Sequence, residues 1–437
     1  MLQRGKFIAG ALGALALVTG SSFAQDAAPQ AATVIHAGRL LADPTNGRVA
    51  TEQSILINAE GRIIGIEAGY VTPAGAAIID QRNRFVLPGL IDSHVHLTSE
   101  LGPNQLIEEV TLTPADGALR GAENARKTVL AGFTTVADLG ANNDSIFALR
   151  RAIREDRIPG PRIIASGSAI TPDGGHADAN GFSPHVLEVL RSESACSGAD
   201  ECRRAVRRQI QAGADVIKIT ATGGVLSNTN AGLAQQLNDD ELAAIVESAH
   251  AMGRRVTAHA HGVDGINAAL RAGVDSIEHG SYINRDSVSL LRQGNRYLVP
   301  TLMAGWWVGQ LAEQGGVLTP AQTTKARQVS RDMANMGRFA RQNNVRVAFG
   351  TDTGVSPHGM NAREFQLLVA SGFSPLQAIQ TATINAADHL QLNNETGRII
   401  PGLAADIIAV DGDPLADVST LMNVHFVMTR GVTQKDE

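Results

Sequence analysis

Short β-branched runs alternating with longer amphipathic stretches from about Phe85 to Leu390 predict an α/β chain: a (β/α)8 TIM-like barrel, with a small β-sandwich built from both chain ends. Three observations carry this. Eight candidate strands occupy roughly 300 residues, enough for a barrel of about 250 residues plus insertions. Helical segments with recognisable starts and stops separate them. Strand-rich segments bracket the whole, at 33–80 and again near the C-terminus.

The strand candidates are Phe85–His96, Thr134–Gly140, Pro161–Gly167, Asp215–Thr220, Arg255–Ala260, Ser276–Gly280, Tyr297–Met303 and Val345–Gly354. "NDDELAAIVESAHAMG" reads as a helix capped by Asn238 with Glu241 three positions on; Leu242, Ile245, Val246 and Ala249 share one face, and Gly253 ends it. "VDGINAALRAG" repeats the scheme, stopping at Gly273. A doubly wound open sheet is the alternative, but no Gly-rich dinucleotide turn follows the first strand. In the N-terminal flank, "SILINAEGRIIGI" predicts a hairpin turning at Ala59-Glu60-Gly61. The flanks are expected to pair, giving a sandwich from residues 25–86 and 398–437 around a barrel at 87–397.

Residues 1–24 stand apart. Arg4 and Lys6 precede an apolar run from Phe7 to Gly20, and the small residues Ser22 and Ala24 then mark a secretory signal, cleaved after Ala24. The apolar run is shorter than the ~20 residues of a membrane span, so a periplasmic or secreted protein with no retained anchor is expected. Cys196 and Cys202, in a polar stretch of an exported chain, predict a local disulfide closing a surface loop. With 43% hydrophobic and 18% charged residues, a net charge of −6 and scattered basic residues, the composition gives no nucleic-acid footprint. Self-association is left open.

In a parallel barrel, reactive groups gather at the C-terminal ends of the strands. His94 and His96 lie two apart at the end of the first candidate strand, Lys218 near the end of the fourth, His259 of the fifth, His279 of the sixth and Asp352 of the eighth. A lone histidine or lysine there has an ordinary structural explanation. Four imidazoles and a carboxylate at one mouth instead make the donor set of a borderline divalent metal. Lys218, inside the apolar run "DVIKIT", costs several kcal/mol to bury as an ammonium unless it is partnered or gives up its proton.

These motifs, "LPGLIDSHVHL", "VIKITATGGV", "VTAHAHG", "SIEHGS", "FGTDTG" and "PGLAADIIAVDGDPL", in this order over nearly the whole chain, resemble the amidohydrolase superfamily. The resemblance implies two divalent ions, zinc by type, with His94, His96 and Asp352 on one, His259 and His279 on the other, and Lys218 bridging both as a carbamate formed with CO2. It makes Asp352 both a ligand and the catalytic proton shuttle. Deaminases of the superfamily place a glutamate near the fifth-strand histidine; here Ala260, His261 and Gly262 follow His259, which favours amide hydrolysis over deamination. Hydrolysis of a cyclic amide or lactone on the same scaffold is the other enzymatic alternative. A non-catalytic barrel would have no need of the buried lysine.

Within the superfamily the motifs are most similar to the prolidase-like and carboxypeptidase-like branch, including microbial ochratoxin-degrading amidohydrolases. That similarity implies a substrate amide with a free C-terminal carboxylate, an N-acyl amino acid or dipeptide with an apolar residue; ochratoxin is itself an N-acyl phenylalanine. His176 in "TPDGGHADANGF" and His261 are candidate donors to a carboxylate or oxyanion, and Val225 and Leu226 are candidate apolar wall. Trp306 and Trp307 would roof an apolar site or pack inside, and His358 would line the mouth. His36, His185, His250, His389 and His425 read as structural or exposed.

Overall fold

The apolar runs of the two flanks meet in one hydrogen-bonded sheet. A computed structural model describes residues 30–229 and 231–437; the expected leader, 1–24, lies outside them. The first strands are β1 (Thr33–Leu40), β2 (Ala50–Ile57), β3 (Ile63–Ala68) and β4 (Ala77–Pro88). Near the C-terminus come β14 (Ile407–Val410), β15 (Val424–Thr429) and β16 (Val432–Asp436). Their order is β16-β15-β14-β4-β1-β2-β3, with β4 parallel to β1 and antiparallel to β14. β2 and β3 form the expected hairpin; Gly61 within the turn has φ +71°, and a Cβ there would stand 2.0 Å from the Arg430 carbonyl oxygen.

Strand alternation explains why these runs are continuously apolar rather than two-toned. Phe85, Leu87, Ile408, Val410 and Val427 join the main core, whereas Val86, Ile407, Ala409, Phe426 and Met428 close a second core with Ile35, Ile55 and Ile63. At the end of β4 and along β14 and β15 both faces of the sheet are covered, so both parities are hydrophobic there, whereas β3, β16 and the first half of β4 are half-buried or exposed over most of their length.

Between the flanks the strands are β5 (Leu90–Val95), β6 (Phe133–Asp138), β7 (Arg162–Ala165), the two-residue β8 (Thr171–Pro172) and β9 (Ala195–Cys196), β10 (Ile217–Thr220), β11 (Val256–Ala260), β12 (Ser276–His279) and β13 (Tyr297–Val299). They form parallel runs β5-β6-β7 and β10-β11-β12-β13. Single bridges continue the pattern: Ile170 to Ile219, Leu298 to Val347, and Val95 to Thr353. Helices follow the strands as expected. The helix Asp239–Ala251 starts with the Asn238/Glu241 capping box, and Val263–Ala272 stops at Gly273 in the left-handed region, φ +105°.

Three sequence-based boundaries change. Phe85–His96 is two strands of two sheets, divided at Gly89, where a Cβ would meet Thr134 Oγ1 at 2.3 Å. The seventh strand stops at Val299: Pro300 removes a donor, Thr301 takes φ +45°, and the helix Leu302–Gln314 begins. Val345–Gly354 forms no regular strand, because it serves two neighbours in turn: Ala348 N donates to Leu298 O, whereas Phe349 O and Thr353 O accept from Ser93 N and His96 N. The disulfide Cys196–Cys202 is present and closes a short loop whose Ser197, Gly198 and Asp200 are exposed, while the two cysteines themselves are fully buried in the main core, Cys202 on the inner face of the helix Ala199–Ala212 with Ala205 and Val206. Among the described residues no helix is long and apolar enough to cross a membrane.

Candidate metal centre

Parallel pairing fixes the heights of the side chains. Lys218 is level with Thr257, Thr220 with His259, and His259 with Glu278. Alternation therefore puts Glu278 on the same face as His259 and would turn His279 the other way. His279 reaches the site because its backbone takes φ +67°, a conformation uncommon for a residue with a Cβ. Asp352 does the same with φ +59°. Non-glycine residues in this region cost energy and persist where surrounding structure holds them, as at functional sites.

Lys218 Nζ lies 3.1 Å from His94 Nε2. Asp352 Oδ1 is 3.4 Å from the same nitrogen and 3.0 Å from His96 Nε2. Ligand atoms of His94, His279 and Asp352 fall within 4.8 Å of one another, as do those of His259, His261 and His279. Lys218, His94, His259, His261, His279 and Asp352 are buried. With His96, His176, Val225 and Leu226 they line one cavity of about 820 Å³, so the structure brings all ten sequence-predicted site residues together.

The imidazoles are oriented from behind. Nδ1 of His94 meets Glu278 Oε2 at 2.8 Å, that of His96 meets Gly140 O at 2.8 Å, and that of His279 meets Thr301 Oγ1 at 2.7 Å. Nδ1 of His261 and of His176 meet Ser281 Oγ and Ser227 Oγ, each at 2.7 Å. In all five rings Nε2 is left for the site, the arrangement that sets tautomer and ring angle in metal-binding histidines. Asp92 ties the floor together: it accepts from His94 N, Thr351 N, Thr351 Oγ1 and Asn361 Nδ2, joining the segment that bears His94 to the one that bears Asp352. None of these supporting partners was identified from the sequence. The signal for Glu278 was there, an acid within the buried strand "SIEH".

Burial pushes the imidazoles of His94, His259 and His279 below their ordinary range, that of His261 to about 4 and that of His176 to about 3, so these rings are neutral. Burial also works against a charged His96, but its hydrogen bond to Asp352 carries it upward. Burial opposes ionisation of Asp352 too, yet His94 and His96 hold it well below the usual carboxylate range. Burial pulls Lys218 down from an ordinary lysine, against the carboxylates of Glu278, Asp352 and Asp138. Neutral imidazole nitrogens, an ionised carboxylate and a desolvated amine fit divalent metal.

Two expectations about the mouth are corrected. Trp306 and Trp307 do not line the cavity. Their helix shows it Ala304, Gly305 and Val308, while the Arg363 guanidinium lies 4.9 Å over the Trp306 ring. His358 is buried behind the wall, its Nε2 3.1 Å from Ser99 O. Of the other histidines, His36 bonds Val71 O, His250 and His425 pair with Asp275 and Asp411, His389 is buried and His185 is exposed.

The chain belongs to the amidohydrolase family, whose model matches residues 85–433. An ochratoxinase of Aspergillus niger is 31% identical over 412 residues, covering 88% of this chain and 82% of that one. Its crystal structure aligns over 93% of this chain and 96% of its own with a TM-score of 0.81. A Xaa-Pro dipeptidase solved with methionine in its active site is 36% identical, covers 92% of this chain and 99% of its own, and has a TM-score of 0.87. The chain is a hydrolase, with the fold of TIM-barrel-type amidohydrolases.

Proposed function

We propose that this protein is an exported binuclear-metal amidohydrolase that cleaves the amide bond of N-acyl amino acids or dipeptides and releases a C-terminal amino acid, ochratoxin A among its substrates. The observation that carries the reading is the meeting of Lys218, His94, His96, His259, His279 and Asp352 on the floor of one deep cavity. Two divalent ions, zinc in this reading, would be held by His94, His96 and Asp352 and by His259 and His279, with Lys218 between them. When bound, such ions polarise the amide carbonyl and lower the pKa of water.

The chain's own residues supply the rest. Desolvated Lys218 offers a neutral Nζ lone pair to the carbon of CO2; loss of one N–H proton leaves an anionic carbamate in place of a buried cation. Asp352 takes a proton from the attacking water at a carboxylate oxygen and returns it to the nitrogen of the leaving amine. With Ser227 and Ser281 hydroxyls donating to Nδ1, His176 and His261 each keep an Nε2–H with which to hold the substrate carboxylate or the developing oxyanion. One part of the remaining wall suits an apolar side chain: Val225, Leu226, Val308, Val329 and Met333 line the cavity there, and no Phe, Tyr or Trp lines it among the described residues, while Glu108, Glu109, Arg120, Arg191 and Glu193 make another part charged. The similar dipeptidase with bound methionine accords with that preference.

In this reading the strands close into an eight-stranded barrel, residues 25–86 and 398–437 form its companion β-domain, and the leader directs the protein to the periplasm or medium. A panel of N-acyl amino acids and dipeptides, ochratoxin A included, assayed with and without chelator, tests it. Chelator-sensitive release of the C-terminal amino acid is the expected result. Ammonia release or ring opening without amino acid release would reject it.

A further inference from the structure

The cavity wall above the floor is held by a cation that the hydrolytic scheme does not use. Residues 223–229, after β10, carry Val225 and Leu226 into the cavity without belonging to any strand or helix. Their carbonyl groups turn to the helix Pro320–Gln342. Lys325 Nζ donates to Gly224 O at 2.9 Å, Ser227 O at 2.8 Å and Thr229 O at 3.2 Å. Gln322 Nε2 donates to Leu226 O at 2.6 Å. An ammonium has three N–H bonds and no acceptor, so these carbonyls use its whole donor capacity. Gln322 Oε1 meanwhile accepts from Thr319 N in the helix's capping box, which fixes where the amide nitrogen points.

The clamp touches the site by two routes. Ser227, held through its carbonyl, presents its Oγ to His176 Nδ1. Gly224, held in the same way, lies so close to the His176 ring that a Cβ would stand 2.1 Å from Cε1, and the His176 and His259 ring centroids are 4.2 Å apart. Four and eight residues beyond Lys325, on the same helix face, Val329 and Met333 line the cavity. One helix thus carries part of the wall and the clamp for the facing part.

We propose that Lys325 is a positioning residue: by holding Gly224, Ser227 and Thr229 against the helix Pro320–Gln342 it fixes the Val225–Leu226 wall and keeps His176 in place as a holder of the substrate carboxylate, and so governs how tightly apolar substrates bind rather than how fast the amide bond breaks. The kinetic part of this inference rests on the proposed hydrolysis; the structural part does not.

Full-length, metal-loaded K325M and K325R are compared with wild type by backbone hydrogen exchange, metal content and kinetics on N-acyl amino acids with large and small apolar residues. In K325M, exchange within 223–229 rises about tenfold or more as its anchoring bonds are lost. KM for large apolar substrates rises roughly tenfold while kcat stays within about twofold, the mark of lost binding common to ground and transition states. Metal content is unchanged. K325R, whose planar fork cannot converge on three carbonyls in the same way, falls between, and carries the test if K325M does not fold. Unaltered exchange and KM overturn the proposal, as does a joint fall of kcat and metal content, which would make Lys325 a support of the floor. If wild type cleaves no amide in the panel, the hydrolytic reading fails, and the exchange data alone sustain or reject the clamp.

Discussion

The two ends of the parallel strands both carry polar cavities, and they differ in how charge is settled. At the N-terminal ends of β11, β12 and β13, Arg255, Asp275, Tyr297, Arg346 and Asp388 surround a space of about 420 Å³. Its charges are matched locally: Arg346 donates to Asp388 at 2.7 Å and stacks 4.1 Å over the Tyr297 ring, Tyr297 donates to Asp388 at 2.8 Å, and Asp275 faces both His250 and Arg255. At the C-terminal ends the outer nitrogens of His94, His96 and His279 are satisfied from behind, the inner nitrogens of His94 and His96 meet only other groups of the site, Lys218 and Asp352, and Lys218 has an imidazole where a buried ammonium needs a carboxylate. Polar residues that satisfy one another hold a fold together. Polar residues held in place by others and aimed at a common space wait for a ligand.

The strongest way to break this contrast is at Lys218. K218M should lower kcat/KM by about 10³-fold or more, since an arrangement that raises water acidity and positions the substrate is lost, and bound metal should fall by elemental analysis. Full activity with undiminished metal in this variant would remove the basis of the proposed mechanism. A step smaller is E278Q, which keeps the shape of the group behind His94 but weakens its hold on Nδ1. Metal affinity should drop roughly 10–100-fold, with kcat restored when metal is added in excess; competition with a chromophoric chelator measures it. If the affinity is unmoved, Glu278 is only packing.

The difference between the two ends also explains what could be read from the sequence. Ligands advertise themselves through local spacing: His94 and His96 sit two apart at a strand end, and Lys218 breaks a hydrophobic run. Their supports carry no such mark, because Glu278 lies 184 positions from the histidine it orients and Lys325 grips carbonyls 96 to 101 positions away. Parity was misleading at His279 and Asp352, where the strand-end pattern was right but positive φ, not simple alternation, aims the side chains. Of the two places open to the tryptophans, the roof of the site is excluded for a related reason. Extending the seventh strand to Met303 hid the helix that starts at Leu302, whose phase sends Ala304 and Val308 to the cavity instead. Pairing of the two flanks was foreseeable from their apolar runs, but the central place of β4 is a long-range choice that local pattern does not encode.

A pH titration sharpens the comparison without touching a ligand. Glu364, fully buried, accepts from Leu302 N and Met303 N at the start of the helix behind His279, and burial pushes its carboxyl up to about 8 from an ordinary 4.5. The folded protein then keeps a proton that the unfolded chain gives up. This contribution is fully present below pH 4.5 and is lost as pH rises toward 8. The urea midpoint of wild type should therefore fall across that window more steeply than that of E364Q, which carries no titrating group there; equal slopes would place the effect elsewhere.

The smallest effect belongs to the settled end. Asp388 is partly exposed, so its pairs with Arg346 and Tyr297 are screened, and D388N should cost only about 1 kcal/mol of stability. The more telling expectation is what it leaves alone. Metal content and kcat/KM should match wild type within about twofold, because nothing in that network points at the substrate cavity and distant sites act nearly independently. Loss of activity in D388N at a temperature where the variant stays folded would mean that the two ends are coupled through the strands, and that the paired charges at the closed end serve the site as well as the fold.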